Sequence, residues 1–338
     1  MRKKRGILIW GIVLALAVFT FFMARRQIAA GEGFVNPHVP YTYEQLLIDC
    51  AELAREYPDI VAVSEIGESA EGRKILAVRL GRGDRDVLLV GSHHAREYIT
   101  SAYLMETIDE YARAYTKSGR YGAYDLRRIL DSVTLHIVVM LNPDGVALVQ
   151  QGLDAAEDPE AIAAMAMAFP DLAAWKANLR GVNLNMNYPA EWELKTSVDG
   201  PSSENFKGYA PASEPETRAL MAYTLEYDFL FAASMHSKGE VVYWADARTV
   251  NEFDGQRALA EVIRDATGYT LMPISANPGE YAGGYENWFR AELHRPAFCV
   301  ELTPTSGDAL PHDDADFDAL VWTPARYLVA ALGDAAAG

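Results

Sequence analysis

Four short apolar runs, each ending on polar or turn-forming residues, limit what this chain can fold into more than any other feature. Asp86–Val90 (DVLLV) gives way to Gly91, and Leu135–Leu141 (LHIVVML) is stopped by Asn142-Pro143-Asp144-Gly145. Phe229–Met235 and Ala297–Leu302 are two more. Runs of this length read as buried strands, and the turn residues behind them do not prolong an extended segment. Between them, Ala102–Tyr115 and Glu214–Leu225 have helical composition and spacing. This alternation predicts an α/β domain with a central, mixed β-sheet flanked by helices. No internal repeat and no Pro- or Ser-rich linker divides the body, so residues 40–335 read as one domain. Residues 154–179 are rich in Ala and Met and predict a packed helix.

The first 30 residues differ from the rest. Arg2, Lys3, Lys4 and Arg5 precede an uncharged run, Gly6–Ala24, and Arg25 and Arg26 follow it. At about 1.5 Å per residue the run just crosses a hydrocarbon layer of roughly 30 Å. The basic excess on its N-terminal side favours an N-terminus in the cytoplasm. The expectation is one transmembrane helix in residues 1–26, a polar stalk over residues 27–39, and a body held outside the cytoplasm on a single-pass anchor. The alternative is a signal peptide cleaved near Ala29 and Ala30, leaving a secreted body; the double Arg fits that poorly.

The net charge is −17. All six charged groups of the first 30 residues are basic, so the body is more acidic still. Such a surface repels phosphate backbones and argues against nucleic acid as a partner. Two cysteines, Cys50 and Cys299, make no disulfide framework.

Chemistry concentrates behind the predicted strands. Gly91-Ser92-His93-His94-Ala95-Arg96-Glu97 follows the first run directly, and polar residues at a strand end are where open α/β sheets place ligands. An imidazole and a carboxylate three residues apart can reach one cation, and zinc accepts both. Spacing alone leaves His93 and His94 open as the partner of Glu97. His236, at the end of the third run, is the natural third ligand. Glu301 closes Ala297-Phe298-Cys299-Val300-Glu301, where a carboxylate faces the core unless it has a partner or a task. A hydrolytic zinc site needs such a general base.

The order GSHHAREYIT (91–100), LNPDG (141–145), RGVNLNMNYP (180–189), SMHS (234–237), AGGYENWF (282–289) and FCVEL (298–302) resembles the zinc carboxypeptidases of the carboxypeptidase A type. The resemblance covers most of the chain. It implies that His94, Glu97 and His236 hold one Zn²⁺ per chain and that Glu301 is the general base. It places the cation that polarises the scissile carbonyl near Trp175–Arg180, with Arg180 or Lys176 as candidates, and Arg96 as a further substrate contact. Asn185 belongs to the family's carboxylate-gripping pair, and Glu286 aligns with the base of the specificity pocket, where it would favour a cationic side chain. Tyr281 lies two positions beyond the family's mobile tyrosine.

Two departures stand out. The arginine that grips the substrate's C-terminal carboxylate is Met186 here, and a thioether makes no charge-assisted pair with a carboxylate. Asn183 stands where the family has an aspartate behind the first zinc histidine. The segments WKANLRGVNLN, NYPAEWE, SEPET and HSKGEVVYW resemble bacterial γ-D-glutamyl–diamino acid peptidases. The expected substrate is therefore a muropeptide stem, cleaved between γ-D-Glu and a diamino acid. A conventional carboxypeptidase acting on α-linked peptides is the alternative, and an inactive, membrane-anchored wall-binding module is the reading from another class.

Overall fold

The strand-like runs pair side by side. The computed structural model describes residues 33–338 apart from 168–169, 251–252, 254 and 306–309, so the anchor expected in residues 1–26 lies outside the described residues. Among the described residues no helix is long and apolar enough to cross a membrane. Val35–Gly338 forms one compact unit.

The strands of the main sheet are β1 (Val61–Glu68), β2 (Lys74–Gly81), β3 (Arg85–Val90), β4 (Val133–Val138), β5 (Ala232–His236), β6 (Val241–Tyr243), β7 (Thr270–Leu271) and β8 (Ala297–Glu301). Their spatial order is β1-β2-β4-β3-β5-β8-β6-β7. The four central strands, β4, β3, β5 and β8, run parallel, while β1, β2 and β6 pair antiparallel to their inner neighbours. The sheet is mixed, as the alternating pattern predicts. β3 and β4 are buried on both faces, which is why β3 reads as a continuous apolar run over Val87–Val90 and why β4 buries Thr134 and His136 along with its apolar residues.

Side chains on successive strand positions point to opposite faces. Ile75, Ala77, Leu88, Val90, Val138 and Ala232 share one core with α6 (Pro215–Leu225) and α8 (Tyr285–Leu293), through Leu220, Tyr223, Tyr285 and Phe289. Val87 and Leu89 alternate with Leu88 and Val90 and so turn to the other face. There α3 (Leu126–Ser132) and α9 (Leu328–Ala337) meet the central strands, and α2 (Ile99–Lys117) packs on α3. Further helices are α1 (Tyr43–Glu56), α4 (Pro143–Gln151), α5 (Pro159–Ala166) and α7 (Gln256–Thr267). The Asn142-Pro143 signal both ends a strand and opens α4: the Asn142 Oδ1 accepts the Gly145 N–H at 3.1 Å, and Pro143 takes the first turn, where its missing N–H costs nothing.

The packed helix expected over 154–179 is only partly formed. Its helical part is α5, between a Gly152–Ala155 turn and a Leu172–Ala174 turn. Pro170 supplies no N–H to carry a helix on. The segment is anchored instead by Trp175, fully buried in a small core with Ala95, Leu148, Ile162 and Leu179.

Gly91 and Ser92 turn the chain out of β3. A Cβ on Gly91 would meet the Val139 carbonyl oxygen at 2.6 Å and Leu104 Cδ1 at 2.8 Å, so the strand and α2 close over bare backbone. Ser92 has φ +48°, a left-handed conformation that a non-glycine residue holds only when its surroundings fix it. Here the Ser92 N–H donates to Thr100 Oγ1 at 2.9 Å. Its hydroxyl lies 2.7 Å from Ser101 Oγ, whose own proton goes to the Val139 carbonyl at 2.7 Å. Gly91→Ala is expected to lower stability by about 1–3 kcal/mol, the range for overfilling a packed site. Denaturant unfolding of the two proteins measures it directly, and an unchanged midpoint would refute the close packing described.

Candidate metal centre

The parallel strands deliver their C-terminal ends to one place. β3 runs into the Gly91–His94 segment, β5 ends on His236 and β8 ends on Glu301. Glu301 and His236 are register partners across β8 and β5. After His94 the chain makes a 3₁₀ turn, Ala95–Glu97, closed by the Glu97 N–H on the His94 carbonyl at 3.1 Å. Residues three apart eclipse in such a turn, so His94 and Glu97 face the same way.

The result is a buried triad. His94 Nδ1 lies 2.9 Å from Glu97 Oε1 and 3.2 Å from His236 Nδ1, and His236 Nδ1 lies 3.1 Å from Glu97 Oε2. Exposure is 6% for His94, 2% for Glu97 and 1% for His236. The tautomer of His94 follows from its other nitrogen. Asn183 Oδ1 accepts the Asn185 N–H at 3.1 Å, which identifies it as the oxygen, and it also lies 3.1 Å from His94 Nε2. The Nε2 proton therefore goes to Asn183, and His94 Nδ1 presents a bare lone pair to the triad. Burial holds the His94 imidazolium down, to about 3, against the pull of Glu97 and with help from Lys176, so the ring is neutral. Burial pushes the Glu97 carboxyl up, but the two imidazoles outweigh it and keep the group ionised. His94 Nδ1, His236 Nδ1 and the Glu97 carboxylate thus converge on one point, a ligand set that suits a cation; without one, Glu97 holds the His236 imidazolium up against burial. Tetrahedral zinc with bonds of about 2.0–2.2 Å separates its ligand atoms by roughly 3.4 Å, close to the spacing seen.

His93 takes a different part. It is fully buried, its Nε2 lies 3.2 Å from the Tyr188 hydroxyl, and its ring stacks on His236 with centroids 5.4 Å apart. The pair left open by the spacing resolves to His94 beside Glu97.

Glu301 sits around His236 with Oε2 buried and without a hydrogen-bond partner. Burial pushes its carboxyl up to about 8, an effect that the nearby His236 partly offsets. Glu286, also buried, places Oε1 at 3.9 Å from His236 Nε2 and Oε2 at 3.5 Å from Asn185 Nδ2. Asn185 is committed on both sides, since its Oδ1 accepts the Tyr285 N–H at 2.7 Å. Tyr281 packs edge-on against Tyr243, which neighbours Cys299 in the sheet.

A polar cavity of about 520 Å³ opens beside His94. Asn183, Asn185, Met186, Lys176, Lys195, Thr196, Ser197, Val198 and Asn205 line it. Of the two candidates for the carbonyl-polarising cation, Lys176 reaches this cavity. Its backbone is tied next to the metal site by the Ala95 N–H on the Lys176 carbonyl at 3.1 Å. Arg180 is half-exposed and lies 3.8 Å from Glu214. Arg96 is spent on the Ala174 carbonyl at 2.8 Å and on Glu204 at 3.2 Å. Lys195 was not among the residues singled out from sequence: it lies in a polar loop, and no spacing marks it.

Comparison with known proteins agrees with this geometry. The zinc carboxypeptidase family matches residues 47–321, which span every triad residue and Glu301. Gamma-D-glutamyl-L-diamino acid endopeptidase 1 of Lysinibacillus sphaericus is 32% identical over 271 residues, covering 79% of this chain and 67% of that protein. Carboxypeptidase B of Astacus astacus is 24% identical over 299 residues, 81% of this chain and 90% of that one. The structure of bovine thrombin-activatable fibrinolysis inhibitor in complex with tick carboxypeptidase inhibitor shares the fold, with a TM-score of 0.70 at 18% identity over 89% of this chain and 98% of that chain. A mixed sheet whose strand ends gather two imidazoles and a carboxylate inside a matching stretch of this length has one source, and the chain belongs to the zinc carboxypeptidase family of metallopeptidases.

Proposed function

We propose that this peptidase cleaves peptidoglycan stem peptides at the bond between the γ-carboxyl of D-Glu and a diamino acid. The observation that carries the reading is Met186 on the cavity wall beside the metal site, with its neighbour Asn185 already committed to Tyr285. The Arg-Asn grip on a C-terminal carboxylate expected from the family is therefore missing. The name of the Lysinibacillus relative specifies a γ-D-glutamyl–diamino acid bond, in keeping with that loss. The body acts outside the cytoplasm in this reading, held by the anchor expected in residues 1–26, where its substrate lies.

His94, Glu97 and His236 would hold one Zn²⁺. When bound, zinc polarises the substrate carbonyl and brings the pKa of its water towards neutrality. Glu301 Oε2, buried and unpartnered, would in its ionised form take the proton of the attacking water and pass it to the leaving nitrogen. Lys176 provides positive charge on the cavity side, where the carbonyl oxygen becomes anionic. Glu286 gives the site a further carboxylate besides Glu97 and Glu301, buried and suited to an amine-bearing side chain.

The purified protein is expected to hydrolyse L-Ala-γ-D-Glu-meso-diaminopimelate and to lose that activity to a zinc chelator. Glu301→Gln is expected to lower kcat by about 10²–10⁴-fold while bound zinc stays stoichiometric. Cleavage of an α-linked peptide with a free C-terminus, and not of the γ-linked one, would overturn the substrate assignment. Asn183→Asp restores a charge behind His94 and is expected to tighten zinc binding by about tenfold or more, read by competition with a chromophoric chelator. An unchanged zinc Kd would mean that the amide serves the imidazole as well as a carboxylate does.

A further inference from the structure

Acidic residues outnumber basic ones 47 to 30, yet the cavity beside His94 is lined by two lysines and by no acidic side chain. Among the described residues, no Asp or Glu oxygen lies within ion-pair distance of Lys176 or Lys195. The contact recorded for the Lys195 ammonium is to the Glu280 carbonyl oxygen, at 2.6 Å, and an ammonium has three N–H donors. Both lysines line the same cavity as His94 and Met186. Such a pair of like charges is unfavourable without an anion. Burial, and then the neighbouring Lys176, holds the Lys195 ammonium below its ordinary value against the weaker pull of Glu280. The cavity wall otherwise consists of amides, hydroxyls and apolar groups, with no acidic side chain. A pocket built this way is complementary to a substrate anion placed beside the scissile bond.

We propose that Lys195 is a specificity-determining residue that binds a carboxylate of the substrate, taking it up in the cavity where Met186 cannot. A γ-linked D-Glu leaves its own α-carboxylate free, four carbon–carbon bonds from the scissile carbonyl carbon. The diamino acid carries a second carboxylate on the leaving side. Either source presents the same chemistry to an ammonium. An ordinary α-linked peptide has a neutral amide in place of the first. The choice of bond rests on the peptidase reading above; the binding of a carboxylate at Lys195 does not.

The test uses the zinc-loaded full chain and three forms of L-Ala-γ-D-Glu-L-Lys: unmodified, amidated at the D-Glu α-carboxylate, and amidated at the Lys carboxylate. Lys195→Met is expected to lower kcat/KM for the unmodified peptide by about ten- to a hundredfold, the range for a hydrogen bond to a charged group. Lys195→Arg keeps the charge and recovers most of the loss, while Lys117→Met, which removes an exposed lysine at the end of α2, changes nothing. Amidation at the carboxylate that Lys195 holds costs the native protein a similar factor and costs Lys195→Met little more. The substrate that shows this coupling identifies the source. A parallel titration measures the Kd of L-Ala-D-Glu and L-Ala-D-isoglutamine without turnover, so a protein that cuts no γ-linked bond loses the substrate assignment while the carboxylate question is still answered. Equal losses on all three peptides, or, in a protein that cuts none of them, equal affinity of native protein and Lys195→Met for all three, would overturn the proposal.

Discussion

The structure depends on a mismatch between acceptors and protons. Three groups that would each rather face a proton or a cation are packed together under the sheet's C-terminal edge, with exposures of 6% or less. Burying a carboxylate with two imidazoles is costly unless a proton or a cation answers it. The surrounding elements are arranged so that the cost is borne at one place. Ser92 bends into the left-handed region, the 3₁₀ turn eclipses His94 with Glu97, and Asn183 takes the distal proton of His94. Each of these fixes an orientation that a flexible loop would not hold.

Most of the fold was legible in the sequence because the central strands are buried on both faces. Val87–Val90 therefore appears as an unbroken apolar run and Val133–Val138 as one broken only by Thr134 and His136, and helices of ordinary length lie between them. The insertion over 154–179 was not legible in the same way. Its Ala and Met content is shared by helices and by small satellite cores, and what ties it down is a small core of its own around Trp175, with Ile162, Ala166 and Leu179. The site divides similarly. His94, Glu97, His236 and Glu301 each sit at a strand end, where a polar residue behind an apolar run is visible as an anomaly. Lys195 follows no strand and repeats no spacing. It reaches the cavity only through the long-range path that brings its ammonium to the Glu280 carbonyl.

The two faces of the metal site differ in their ionisable groups. On the side of His236 lie Glu286 and Glu301, each with a buried oxygen lacking a hydrogen bond. On the side of His94 lie Lys176 and Lys195. A substrate bearing both an amine and a carboxylate can be oriented across such a divide with its scissile bond over the centre, whereas an uncharged peptide gains nothing from it. The acidic exterior of the molecule sharpens this contrast, since its long-range field disfavours anions everywhere except where the local lysines prevail.

The strand order carries one more consequence. His94, His236 and Glu301 come from β3, β5 and β8, adjacent in space but separated by 142 residues between the two histidines. No continuous fragment shorter than that interval contains the pair, and loop-closure entropy delays contacts of such separation during folding. An ion held by His94, Glu97 and His236 would therefore need the central parallel strands to be in register, which ties its retention to assembly of the whole sheet.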